Sequence, residues 1–264
     1  MAKYKMIIEY DGTSYSGWQG QTNARSIQGT LIETARRVLE CNVDIQGAGR
    51  TDAGVHALGQ VAHLEMPKKV PPRIILEKMN DELPSNINIL RLEEAKADFH
   101  ARHHAKGRSY LYILSRKRTA FGKRYVWWVR DPLDMKTMET VIQLFRGFHD
   151  FDSFADKRRE KSASSLVQID TATIKRCDDL ILFRFAGSHF LWKMVRRLVG
   201  VTVEAGRGKL TVRDIEAIMK TPSDIPARCT APPSGLFLEQ VLYESDTWRP
   251  FQLPSWPTLT EKQG

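Results

Sequence analysis

Residues 47–56 read Gly-Ala-Gly-Arg-Thr-Asp-Ala-Gly-Val-His, with three glycines around one arginine and one aspartate. The segments on either side, at about 43–46 and 58–66, have the residue pattern of strands. The stretch is therefore predicted to be a glycine-rich loop that joins two strands. It raises the question of what its single carboxylate, Asp52, does there.

The chain on both sides of this loop predicts the order strand, helix, strand, strand, helix, strand over residues 1–106. Residues 3–10 alternate polar and apolar side chains, which indicates a half-buried strand. Ser26 is a favourable N-cap for a helix whose apolar residues share one face. Two prolines open a second helix at 71–82, and 87–92 is predicted as a strand. This is the order of a ferredoxin-like unit.

A similar order begins again at residue 107. Strands are predicted at 109–114, 168–175, 180–186 and 236–243, and helices from the N-cap Asp134 to Gly147, over 190–204, and from the capping box Thr211–Asp214. The predicted fold class is α+β, with two tandem ferredoxin-like (RNP-like) units, mainly antiparallel sheets and a central active-site cleft. The predicted domains are 1–106 and 107–244, and the proline-rich segment 245–264 is predicted to be an extended arm.

Charge is the main compositional signal of the 264-residue chain. It carries 40 Lys and Arg against 31 Asp and Glu, a formal net charge of +9 and a pI near 9.5. The basic residues cluster, at 102–108, 116–118, 123–124, 157–159 and 196–197. Any single cluster fits a solvated charged face, but several together favour a polyanionic partner such as RNA.

Cysteine content and hydropathy exclude other classes. The three cysteines, Cys41, Cys177 and Cys229, are far apart, so neither a disulfide framework nor a zinc site is indicated. No apolar run approaches the ~20 residues of a membrane span, and no targeting segment is visible. We expect a cytoplasmic protein with no membrane partner.

Three interpretations of the glycine-rich loop follow from its residues. A phosphate cradle is disfavoured, because the loop lacks the Gly-Lys-Ser/Thr of a P-loop and precedes a strand. A metal site would need Asp52 and His56 together with His63 from the next strand. A purely structural turn would give Gly47, Gly49 and Gly54 positive φ angles, with a surface ion pair between Arg50 and Asp52.

The residues GAGRTDAGVHA at 47–57, followed by GQVAH at 59–63, resemble the tRNA pseudouridine synthase family that modifies positions 38, 39 and 40 of the anticodon arm. Further matches extend along the chain to Tyr243: Tyr10-Asp11-Gly12, Gly17 to Gln21, Ser26 to Gly29, Phe99 to Arg102, Arg108 to Tyr112, Phe190-Leu191, Met194 to Arg196, Gly200, and Ala231 to Leu236. The resemblance implies isomerisation of uridine to pseudouridine without a cofactor or a metal.

The resemblance also implies roles for individual residues. Asp52 matches the catalytic aspartate, and Arg50 would keep it ionised, fill the space left by a flipped uridine, or bind a phosphate. Tyr110 matches a tyrosine that packs on the target base and could assist proton transfer. The substrate-binding residues implied are Tyr110, Leu236, Gly54, Val55 and His56.

The resemblance implies RNA contacts at Phe99, His100, Ala101, Arg102 and His103 and near Lys161, and the basic clusters add Arg108, Lys157, Arg158 and Arg196 as predicted RNA-contacting residues. The chain departs from the family near 161–165, where many relatives carry an arginine and this sequence reads Lys-Ser-Ala-Ser-Ser. The expected partners are tRNA and a second copy of the chain in a homodimer. The alternative function is a catalytically silent RNA-binding protein or tRNA chaperone with the same fold and charge.

Overall fold

A computed structural model describes residues 1–158 and 164–254 of the protein. The strands are β1 Ala2–Tyr10, β2 Asp44–Gly47, β3 His56–Met66, β4 Ile87–Glu94, β5 Gly107–Ser115, β6 Trp127–Trp128, β7 Gly147–Asp150, β8 Leu166–Cys177, β9 Leu180–Gly187 and β10 Leu236–Leu242. The helices are α1 Ile27–Leu39, α2 Pro72–Glu82, α3 Met135–Gln143, α4 Met194–Gly206, α5 Val212–Lys220 and α6 Ile225–Arg228. The class is α+β, as predicted, and most strand pairs are antiparallel.

The chain groups into two compact units. The first unit contains Met1–Lys106 and Phe237–Trp248, and the second contains Gly107–Leu236 and the described chain from Arg249. The sequence placed the last strand with the second half, whereas Phe237–Trp248 group with the first unit. The reason is a pairing distant in sequence, because β10 joins β3 as a parallel neighbour.

In the first unit the strands lie in the order β4-β1-β3, and β2 pairs with β3. Alternate side chains of β1 are buried, with Tyr4, Met6 and Ile8 0% exposed, as its sequence pattern predicted. Helix α1 begins after Ser26, whose Oγ accepts a hydrogen bond from the Gly29 amide at 3.1 Å. Each predicted element of this half is present.

In the second unit the strands lie in the order β5-β9-β8-β7, and β6 pairs in parallel with β5. Its core is rich in phenylalanine; the rings of Phe145 and Phe154 meet edge to face at 5.6 Å, and both are 0% exposed. Helix α3 starts after the cap Asp134 and helix α5 has the predicted capping box.

Two helix boundaries in the second unit were predicted wrongly. Helix α3 ends at Gln143, because Gly147 has a φ of 108° and begins β7. Helix α4 begins at Met194 rather than near 190, because Lys193 has a φ of 61°, which no right-handed helix contains. The short elements β6, β7 and α6 were not predicted.

The proline-rich segment carries neither helix nor strand in its described part, residues 245–254. The Arg249 carbonyl accepts a hydrogen bond from Arg184 Nη1 at 2.7 Å. The rest of the predicted arm, 255–264, lies outside the described residues. Within 1–158 and 164–254, no helix is long and apolar enough to cross a membrane.

Candidate active site

The glycine-rich stretch forms a loop between β2 and β3, which we call the aspartate loop (residues 48–55). Its first residues are fixed to β3. The Ala48 amide donates to the Val61 carbonyl at 2.7 Å, and Gln60 Nε2 donates to the Gly49 carbonyl at 2.9 Å. Gln60 is fully buried, so the base of the loop is part of the protein interior.

The tip of the loop is a tight turn that starts at Asp52. The Val55 amide donates to the Asp52 carbonyl at 3.1 Å, and Gly54 has a φ of 75°. A positive φ at the third position of the turn, but not at the second, is the geometry of a type II turn. Gly47 and Gly49 were also expected to have positive φ angles, and that expectation was wrong.

A second segment supports the loop, and sequence reasoning did not assign it this role. Tyr10 shares a buried hydrogen bond with Thr51, 2.8 Å between the hydroxyl oxygens. The Trp18 amide donates to the Thr51 carbonyl at 3.0 Å. Gly17 has a φ of 94°, and a Cβ there would lie 2.5 Å from the Thr51 carbonyl oxygen. This close approach accounts for a glycine at position 17.

These contacts leave Asp52 at the edge of a rigid structure. Thr51 is only 6% exposed, and both its hydroxyl and its carbonyl are hydrogen-bonded. Asp52 is half-buried, and Ala53 and Arg50 are exposed. The loop thus presents one carboxylate, with an arginine two residues earlier, on a backbone that has little freedom to move.

Val55 and His56 lie beneath the loop, with side chains 2% and 1% exposed. His56 Nδ1 is 3.1 Å from both the Gly12 amide nitrogen and Asp11 Oδ1, and the ring stacks on Phe237 at 4.7 Å. That these two residues bind substrate stays a prediction; in this structure both side chains are buried against protein and support the loop.

Asp11 connects His56 with the short helical turn that follows β1. Burial acts to raise the pKa of Asp11, but hydrogen bonds from His56 and Thr13 outweigh burial and hold that pKa well below its usual value of 3.8. The carboxylate is therefore charged at neutral pH. It also caps the short helical turn Gly12–Ser14 by accepting from the Thr13 amide at 2.9 Å.

The metal hypothesis for Asp52, His56 and His63 is wrong. His56 and His63 are seven residues apart on β3, which separates them by about 20 Å, too far for both to bind one metal ion. His63 Nδ1 accepts the Ala101 amide at 3.2 Å. No group of three or more His, Cys, Asp or Glu side chains suited to a metal occurs in the part of the chain that the structure describes.

The aromatic candidate of the second unit is Tyr110, which is half-buried on β5. Its ring meets Phe190 edge to face at 5.2 Å. The neighbouring Tyr112 is 0% exposed, its hydroxyl donates to the Pro232 carbonyl at 2.9 Å, and burial raises its pKa well above 10. Tyr112 is thus a core residue. Leu236, at the start of β10, is 6% exposed.

Buried contacts hold the predicted RNA-contacting segment 99–103 in place. Ala101 is 0% exposed, and its carbonyl accepts from the Tyr243 hydroxyl at 2.7 Å. The ring of His100 lies 4.7 Å from that of His63, and Lys3 Nζ donates to the Phe99 carbonyl at 3.0 Å. The exposed members of the segment are Arg102 and His103.

The other predicted RNA contacts lie in the second unit. Lys157 and Arg158 are exposed. Arg108 donates from Nη1 to the Ser188 carbonyl at 3.2 Å, and Arg196 donates from Nε to the Ala231 carbonyl at 2.7 Å, so both also support the fold. Lys161 lies outside the described residues.

Comparison with known proteins identifies the class. Residues 6–104 and 141–244, which include the aspartate loop, match the family described as tRNA pseudouridine synthase. The chain belongs to this family, whose enzymes are isomerases.

Individual relatives share a more specific name. The protein named tRNA pseudouridine synthase A from Thermodesulfovibrio yellowstonii is 39% identical over 254 residues, covering 92% of this chain and 100% of that protein. Its namesake from Acetivibrio thermocellus is 38% identical over 248 residues, with 92% and 100% covered. A chain of a crystallised Cbf5-Nop10-Gar1 complex is 10% identical at a TM-score of 0.36, covering 75% of this chain and 54% of that one. That TM-score is too low for a comparison of folds.

Proposed function

We propose that the protein converts uridine to pseudouridine at positions 38, 39 and 40 in the anticodon stem-loop of tRNA, with Asp52 as the catalytic residue. The observation that carries the proposal is the aspartate loop itself. It lies within the family match and presents a half-buried carboxylate on a backbone fixed at Thr51.

The reaction requires three changes in the nucleotide. The bond from N1 of uracil to C1′ of the ribose breaks, the base rotates, and a bond from C5 to C1′ forms. C5 then loses its proton and N1 gains one, so the reaction is an isomerisation without net oxidation or hydrolysis. One carboxylate is sufficient, as a nucleophile at the ring or the sugar, or as a base toward a sugar proton.

The remaining site residues are proposed to hold the uracil. Tyr110 packs on the base, and its hydroxyl assists removal of the C5 proton. Leu236 lines the opposite side of the base. Gly54, Val55 and His56 act through the backbone and position of the loop, because the last two side chains are buried. Arg50, which is exposed, acts on the flipped nucleotide or its phosphate.

We propose that tRNA binds through the exposed basic residues and that the active form is a homodimer. The net charge of +9 and the exposed Arg102, Lys157 and Arg158 support an RNA-binding surface. Light scattering on the purified protein tests the dimer. A mass near 30.2 kDa, that of one chain, would contradict it.

We also propose that each unit is ferredoxin-like. Support comes from the first unit, whose order of elements is β1-α1-β2-β3-α2-β4 and whose strands lie in the order β4-β1-β3 with β2 on β3. The central active-site cleft stays a prediction.

The function is tested with unmodified tRNA transcripts that carry uridine at positions 38, 39 and 40, incubated with the protein in EDTA and mapped for pseudouridine. Matched transcripts carry cytidine at those positions. We expect pseudouridine only at the three uridines of the first set. Modification elsewhere would contradict the position, and tight binding without any modification would favour the catalytically silent RNA-binding protein.

A further inference from the structure

A cluster of charged and aromatic side chains in the second unit is organised around Asp156. This carboxylate is 6% exposed. It accepts from Arg158 Nε at 3.1 Å and Nη2 at 3.2 Å, and from Lys193 Nζ at 2.8 Å, and Arg197 Nη2 lies 4.0 Å away. Three basic side chains around one carboxylate leave a local excess of positive charge.

An exposed indole lies against two of these cations. The Arg158 guanidinium is 4.2 Å from the ring centroid of Trp192, and Lys193 Nζ is 5.2 Å from it. The Trp192 residue is 42% exposed and the Arg158 side chain 66%. Part of the indole surface is therefore accessible beside two cations.

The cluster is fixed in place by its backbone and its ion pairs. The Asp156 amide donates to the Trp192 carbonyl at 3.2 Å. Lys193 has a φ of 61°, an unusual conformation for a residue with a side chain, directly before α4. The two-point contact of Arg158 with Asp156 holds the guanidinium over the indole, so its orientation costs little entropy when a ligand binds.

The geometry points to a binding platform for one unpaired nucleotide of RNA, formed by Trp192, Arg158 and Lys193. Bases stack on aromatic rings and on arginine planes, and the neighbouring phosphate pairs with the lysine and arginine charges. A base inside a duplex has no free face, so the platform selects single-stranded or loop nucleotides. The inference rests on the proposed function, because it assigns a contact to the same tRNA substrate.

The test compares Trp192→Leu with Trp128→Leu. Trp128 is a matched control, since it is also 42% exposed and has the Arg118 guanidinium 5.8 Å from its ring. A third variant, Trp192→Phe, keeps an aromatic ring. Binding is measured to an unmodified tRNA transcript and to a fully paired RNA duplex of similar length.

We expect Trp192→Leu to weaken tRNA binding by about 5- to 150-fold, as loss of one stacked base does, while the duplex binds all variants alike. The Trp128→Leu and Trp192→Phe variants should stay close to wild type. Equal tRNA affinity for both leucine variants would overturn the inference. So would an equal loss of duplex binding in Trp192→Leu, which would indicate a general effect of charge or folding.

Fluorescence gives a second measurement that does not depend on the leucine variant folding. The Trp192 signal is the difference between wild type and Trp192→Phe, and a stacked base should quench it when tRNA is added. An unchanged difference signal would overturn the platform. Pseudouridine formation by the wild type is measured in the same preparations; its absence would refute the proposed function, whereas the binding contrast reports on the platform alone.

Discussion

At the scale of single residues, Asp52 is positioned through its neighbour Thr51. The Thr51 hydroxyl pairs with Tyr10 at 2.8 Å, and its carbonyl accepts from the Trp18 amide at 3.0 Å. These hydrogen bonds fix the backbone at Thr51, directly before Asp52. A nucleophile or base held in this way needs little rearrangement to reach a bound nucleotide, and such positioning accounts for a large share of enzymatic rate.

The first prediction concerns Tyr10→Phe, which removes the hydroxyl paired with Thr51. We expect the free energy of unfolding to fall by about 1 kcal/mol, the net value of a typical hydrogen bond. We also expect kcat to fall by about 10- to 100-fold, because a small displacement of a reacting group is costly. Urea unfolding and single-turnover pseudouridine formation measure the two effects.

Tyr4→Phe is the matched control. Tyr4 is on the same strand and is 0% exposed; its hydroxyl donates to the Val70 carbonyl at 2.7 Å and accepts from the Val70 amide at 2.9 Å, far along the strand from the loop. Tyr4→Phe should lose at least as much stability as Tyr10→Phe and keep its kcat. If both variants keep kcat, Thr51 does not position the catalytic group.

The sequence selected Asp52 as the candidate through its resemblance to the family motif at 47–57, whereas the loop residues alone left a purely structural turn open. It did not predict that Tyr10 and Trp18 support the loop, since those contacts join residues more than 30 positions apart. The burial of Val55 and His56 was also missed. A motif shows which residues occur together, but not which of them face the solvent.

At the scale of helices and strands, periodicity predicted the elements whose residues alternate or recur regularly over several turns. It failed where a single residue has a left-handed conformation. Lys193 delays the start of α4, and Gly147 separates α3 from β7. Lysine is uncommon in this conformation, so a lysine at position 193 does not indicate a helix boundary in the sequence. The strand β6 has two residues, too few for a periodic pattern.

The second prediction concerns His63, on β3 beneath the segment 99–103. Burial, and then His100 and Lys3, lower the pKa of His63 below 6.5. The unfolded chain therefore binds a proton on His63 at a higher pH than the folded protein does, so stability falls as pH drops below 6.5. Asparagine can accept the Ala101 amide without titrating. We expect His63→Asn to flatten the decline in unfolding free energy from pH 6.5 downward.

His149→Asn is the control, because that imidazole lies in the other unit, where Nε2 is 2.7 Å from the Arg146 carbonyl. The unfolding free energy of His149→Asn should decline with falling pH as steeply as that of wild type. A wild-type slope in His63→Asn would show that other groups account for the pH dependence.

At the scale of the whole molecule, the net charge favours a polyanionic partner, and chain topology limits what the sequence can predict. The net charge of +9 is visible in the composition alone. The grouping of Phe237–Trp248 with the first unit cannot be predicted from the sequence in the same way, because parallel pairing of β10 with β3 joins segments about 180 residues apart. Local patterns contain no information about such a distant neighbour.

The third prediction concerns the salt dependence of tRNA binding. Arg102 is exposed on the segment 99–103, whose neighbour Ala101 is buried and hydrogen-bonded. Arg102→Gln should weaken binding to all tRNAs and reduce the slope of log K against log salt by about one, the change for one lost phosphate contact. Arg73→Gln, which removes an exposed arginine paired with Glu77 on α2, is the control and should leave the slope unchanged. An identical slope in both variants would place the RNA surface elsewhere.

The most direct test of the central claim is tritium release from tRNA labelled at C5 of uridine, measured in EDTA for wild type, Asp52→Asn and Asp81→Asn. Asp81 is an exposed aspartate on α2 and serves as the control. We predict release by wild type and Asp81→Asn and none by Asp52→Asn, with tRNA affinity within a few-fold for all three, because the carboxylate acts in the chemistry rather than in binding. Release by Asp52→Asn at the wild-type rate would contradict the assignment of Asp52 as the catalytic residue.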